Sequence, residues 1–248
     1  MGSQGWPERY RHGEREQVWH ELRQCGDRVR EPDLAGDVQA VCDEMARRAR
    51  HNVELVVGRL REQGYRFHTN DDAQDPVEPL RSPTAGAESL ASWLPDRFGP
   101  VPMALSSWLR LVGDVWLVGT HPDWPEAMAA DPLVIELEGT RYPDAPVRDY
   151  FAGEFDTWRD QTAEDPDTGA FVLPLAPDRL HKANVSGGGP YGVRLPDATA
   201  EGLFLGEVAM PFVAYLNWVF QHGGFPGPAA GADKWKVKKA LTSGLLPL

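Results

Sequence analysis

The chain reads as an α+β protein, a mostly antiparallel sheet flanked by helices with a helical hairpin at its front. Three observations predict this. Residues 8–60 keep apolar side chains at helical spacing. The stretch PVPMALSSWLRLVGDVWLVG, Pro100 to Gly119, reads as an amphipathic helix, a glycine stop and a fully buried strand. Beyond residue 170, short apolar runs alternate with turn sequences, which suits an antiparallel meander better than βαβ units.

Taken in order, Val18, Leu22, Cys25 and Val29 mark a first helix, which Pro32 ends because the residue before proline is pushed out of the α region. Asp33 can cap a second and longer helix. Its apolar face runs Leu34, Val38, Val41, Met45, Ala49, Val53, Val56 and Leu60, up to Gly64, a residue suited to closing a helix. Arg47, Arg48, Arg50, Arg59 and Arg61 lie on its other face, read as a solvated face paired with acids. Tyr65–Phe67 fits a short edge strand. Residues 69–88 are polar, proline-bearing and without period, and are expected to be a linker loop.

In the central stretch, Leu105, Trp108, Leu109 and Val112 share one helix face, Pro102 suits the first turn, Gly113 closes the helix, and Val115–Val118 is the strand. Leu133–Leu137 predicts a second buried strand. Tyr150–Trp158 fits a short helix or an irregular aromatic segment. Phe171–Leu175, Leu180–Val185, Tyr191–Leu195 and Gly202–Leu205 are expected as short strands. Phe212, Val213, Leu216, Val219 and Phe220 define the last strong helix, and a small lysine-rich helix, with Lys234 among its lysines, is expected over 233–241.

Composition excludes several function classes. A net charge of −12 over 248 residues argues against nucleic acid or an anionic membrane as partner, and favours a basic protein if the partner is a macromolecule. Cys25 and Cys42 make neither a CxxC nor a zinc spacing, so two buried free thiols are expected. The N-terminus shows no basic-then-apolar leader, and no run of about 18 apolar residues occurs, which gives the expectation of a cytoplasmic protein.

Two polar constellations stand out. His121, Asp123 and Trp124 follow directly on the buried strand, and a histidine and an aspartate two residues apart can make a metal half-site or an acid–base pair. No HExxH or third local ligand accompanies them, so neither a metal nor a cofactor is expected. A loop packing its tryptophan on the sheet is the simpler reading. The second constellation is His181, Lys182, Asn184 and Ser186, then three glycines, Pro190 and Tyr191. Its glycines can cradle an anion, but the run matches neither a P-loop nor a dinucleotide fingerprint, and a β-turn between strands explains it as well. Asp71, Asp72 and Asp75 in the first acidic segment, and Glu154, Asp156, Glu164 and Asp165 in the second, are read as loop-borne. They are solvated loops or a face that steers a basic partner. No GxSxG is present, and neither cysteine has a catalytic context.

The proline-led helix with Trp108, Leu109 and Gly113, the later series FVLPLAPD and HKANVSGGGPYGVRLPD, and the aromatic helix PFVAYLNWVFQHGGFPG together resemble the SUKH superfamily, the bacterial immunity and yeast cell-wall-regulator group. The resemblance covers about residues 90–226. It implies an α+β domain over 89–248; the helical hairpin over 1–68 and the linker over 69–88 come from the residue pattern and lie outside the resemblance. It also implies a non-enzymatic protein-binding role, with toxin neutralisation as one form and regulation as another. The family as such contributes no catalytic residues. Two alternatives stay open: a small-molecule-binding or tailoring enzyme with its site between the 121–124 and 181–191 loops, and a regulatory or structural subunit.

Overall fold

The computed structural model describes residues 5–142, 144–228 and 232–248, and the side chains of all of these except 232–235, so Lys234 of the expected lysine-rich helix lies outside the described side chains. The front end is helical. Helix α1 (Trp6–Arg11) and helix α2 (Arg15–Cys25) are separated by Gly13, a 3-10 turn over Gly26–Arg30 follows, and the 28-residue α3 (Ala35–Glu62) completes the unit. The apolar stripe of α3 is buried as its spacing requires, from Val38 and Val41 to Val56 and Leu60. Its arginines are engaged. Arg50 pairs with Glu54 (2.8 Å) and Arg61 with Glu78 (2.7 Å), while Arg48 and Arg59 donate to the carbonyls of Pro247 and Leu241. Cys42 is buried and Cys25 half-buried, both free.

Helix α4 (Ala87–Phe98) leads to α5 (Met103–Leu111), which buries Leu105, Trp108 and Leu109. Gly113 has φ of +90°, and a Cβ there would collide with the Arg81 carbonyl, so glycine both ends α5 and lets β3 (Asp114–Trp116) lie against β2 (Leu80–Arg81). Strand β3 pairs on its other side with β5 (Val134–Ile135). A small ladder joins β1 (Arg66–Phe67) to β4 (Gly119–Thr120). The four-stranded sheet is a meander in which β6 (Phe171–Ala176), β7 (Tyr191–Leu195) and β8 (Leu203–Leu205) match expected strands and β9 (Ala209–Pro211) is a fourth, not expected from the sequence. All strand pairs are antiparallel. Helix α8 (Phe212–Gln221) packs behind it, Tyr215 stacking on Phe204 with ring centroids 3.8 Å apart and Phe212 meeting Trp108 edge-on at 6.0 Å. Helix α9 (Ala232–Thr242) and a tail clamped by Asn52 and Asn217 close the chain.

Four expectations change. The strands form three ladders rather than one sheet, with the Glu136 N–H to Leu175 carbonyl bond (2.9 Å) bridging two of them. The segment expected as a linker contributes β2 to the sheet. Residues 180–185 are not a strand: Asp178 accepts the His181 N–H at 2.8 Å, an N-cap that starts the short helix α7 (Arg179–Lys182). Glu154, Asp156 and Glu164 lie not on a loop but on α6 (Val147–Glu164), started by Pro146 and packed on β6 through Phe155 and Trp158.

Candidate functional site

The site is built outward from Asp114, the first residue of β3, which is buried. Its carboxylate accepts the N–H groups of Leu137 (2.8 Å), Glu138 (3.0 Å) and Thr140 (2.9 Å) and the Thr140 hydroxyl (2.7 Å). One side chain therefore replaces the ladder where β5 ends and fixes the loop that follows. Arg81 tightens the loop further by donating to the Thr140 carbonyl.

Two residues on that loop define the site. Arg141 forms a two-pronged pair with Glu136, both bonds 3.0 Å, and its guanidinium carbon lies 3.4 Å from the Trp116 ring centroid. Burial pushes the Glu136 carboxyl above its usual range, and Arg141 pulls it back. Arg141 also donates to the Tyr142 hydroxyl at 2.6 Å and sits 4.6 Å from the centre of that ring. Beside this pair opens a cavity of about 420 Å³, walled by Val147, Tyr150 and Phe151 of α6, by Pro174 to Pro177 at the end of β6, and by Pro190. Tyr142 is 52% exposed and Tyr150 49% exposed, so two large rings stand at its mouth rather than in the core. Burial raises both phenols above the usual value. Two exposed carboxylates act on the site electrostatically, Glu154 on Tyr150 and Asp71 on Arg141 and Tyr142.

None of the site residues expected from the sequence is among the described residues that line this cavity. His121 is buried; its Nδ1 accepts the Asp123 N–H (3.0 Å) and its Nε2 faces Gln63 (3.2 Å). Desolvation lowers its pKa, so the ring is neutral, and it engages the backbone of Asp123 rather than its carboxylate. Trp124 is buried against Phe225. Lys182 is fully buried, its Nζ 2.7 Å from Asp131 Oδ1 and 4.8 Å from the Tyr191 ring centre. Burial lowers the Lys182 pKa and Asp131 opposes that. The Tyr191 hydroxyl donates to Glu207 (3.0 Å) and accepts the Arg179 N–H (3.2 Å). His181 Nδ1 lies 3.0 Å from Asp178, and the Asn70 amide donates to the His181 carbonyl (2.9 Å). Asn184 donates to Asp72 (2.7 Å), which joins the first acidic segment to the glycine loop. Within that segment Asp71 accepts from Thr69, Ala73 and Gln74 and organises its own turn, while the Asp75 carbonyl accepts the Thr69 N–H. Ser186 is exposed. Asp156 pairs with Arg97 (2.7 Å), and Asp165 caps the next turn through the Asp167 N–H (3.0 Å).

Glu136, Arg141 and Tyr142 were not singled out in the sequence. The signal for Tyr142 is local: an aromatic between an arginine and a proline, in the run RYPDAP, has no apolar period that would bury it. Among the described residues, no group of three or more His, Cys, Asp or Glu is placed to hold a metal ion, and no helix is long and apolar enough to cross a membrane. No family model, no curated protein and no solved structure matches the chain.

Proposed function

We propose that this chain is a protein-binding module, SUKH-like in kind, that takes a basic protein partner on the Tyr142–Tyr150 cavity and its acidic rim; a toxin neutralised by occlusion is the form the sequence resemblance favours. The observation that carries the reading is the pair of half-exposed tyrosines beside an apolar cavity. Aromatic rings around an apolar pocket are what protein interfaces use as anchors. The chain's net charge of −12 and the carboxylates at the mouth favour encounter with a positive surface.

Bond-making chemistry has less support. Lys182 and Asp131 neutralise each other out of reach of solvent, and the His121 ring is held by the backbone N–H of Asp123 and by Gln63. The test is affinity capture with the wild-type chain and with a Tyr142→Ala/Tyr150→Ala double variant as baits, at low and high salt. A basic protein retained by the wild type, released by salt and lost from the variant is the expected result. Equal retention by both baits would remove the cavity from the interface.

A further inference from the structure

Resting on that reading, we infer what the cavity selects: an uncharged, ring-bearing side chain flanked in its own sequence by positive charge. The interior and the rim make opposite demands. Inside, the one carboxylate, Glu136, is already taken by both prongs of Arg141, and Arg141 covers Trp116. A second cation entering beside Arg141 would lose its water against Val147, Phe151 and Pro174 and meet a like charge. An anion would find the guanidinium fork occupied and would have to cross the carboxylates at the mouth. A neutral ring meets neither penalty. It is offered the Tyr142 and Tyr150 rings and the faces of Pro174, Pro177 and Pro190 in a space of about 420 Å³, within the range of small-ligand pockets.

Outside, the demand reverses. Glu154 acts electrostatically on Tyr150, and Asp71 on Arg141 and Tyr142, and among the described residues no ion pair engages either carboxylate in the way Arg141 engages Glu136. Residues on either side of the inserted ring therefore gain by carrying lysine or arginine. The selected element is a basic segment with one aromatic anchor.

The probe is a capped tripeptide, lysine–tryptophan–lysine, titrated against the full chain by NMR shift perturbation. Two controls accompany it, one with alanine in the centre and one with glutamate at both flanks. Saturable binding is expected, weakened about tenfold or more by either control peptide. Tyr150→Ala and Ala145→Trp, the second of which fills the cavity from its exposed edge, are each expected to weaken it by a similar factor. If the alanine peptide binds as well as the tryptophan peptide, if the tryptophan peptide fails to saturate, or if Ala145→Trp leaves its affinity unchanged, the inference is overturned. A tripeptide that binds while the double-variant bait still captures its partner would overturn the protein-interface reading and leave the pocket's selectivity standing.

Discussion

The Asp114 carboxylate holds Thr140 at two atoms, its backbone N–H at 2.9 Å and its hydroxyl at 2.7 Å, from the far side of a strand boundary. That contact ties the helix–glycine–strand unit, around which the sheet is built, to the loop that presents Arg141 and Tyr142. The scaffold and the candidate interface thus share one buried acid.

Replacing Asp114 by alanine would strand the N–H groups of Leu137, Glu138 and Thr140. A loss of about 3 kcal/mol or more in urea unfolding is expected, since each buried unsatisfied donor costs about 1–3 kcal/mol. Asp114→Asn keeps an acceptor but turns an NH₂ group toward some of those donors, so a smaller loss is expected. Binding of a partner to Tyr142 should weaken in the asparagine variant although Asp114 itself touches no partner.

Lys182 and Asp131 are a buried pair that ties α7 to the turn before β5. Lys182→Met leaves the Asp131 charge without its counter-ion, and a loss of about 3–5 kcal/mol is expected from breaking a buried pair on one side. Adding Asp131→Asn, which tolerates the left-handed backbone at that position (φ of +55°), should recover most of it. Denaturation of the two single variants and the double variant measures the coupling.

Glu201 gives a pH dependence with a defined sign. It is buried, and burial raises its pKa above the usual 4.5 while Arg23 pulls it down. The folded chain therefore holds a proton on Glu201 at pH values where the unfolded chain has lost it. The resulting stabilisation is complete below pH 4.5 and is lost as pH rises through the folded value. Against a Glu201→Gln variant, the wild type should lose stability as pH rises above 4.5 and level off once the folded carboxyl has ionised. A difference between the two proteins that stays flat across that range would show that the carboxyl titrates alike in both states.

Much of the scaffold is legible in the sequence because it rests on local rules. The α3 stripe repeats its apolar spacing through Leu60, and Gly113 marks the α5–β3 corner by a conformation and a close approach that only glycine meets. What escapes is set by single side chains acting at a distance. The strand-like run from Leu180 to Val185 becomes α7 because Asp178 caps it and Lys182 finds Asp131, fifty-one residues away in the chain. The cavity is harder still to read, since Glu136, Arg141 and Trp116 converge only after β3 and β5 have paired. Tyr142 is then only half covered, and its exposure is a property of the assembled loop.

Hydrogen–deuterium exchange of the full chain, alone and with the captured partner, tests the central claim most directly. Protection concentrated at residues 139–151 and 174–190, the loop, the start of α6 and the segment from Pro174 to Pro190, is the expected footprint. Protection confined to α1–α3, with no change at Tyr142 or Tyr150, would contradict the claim that the acidic-rimmed cavity is where the partner docks.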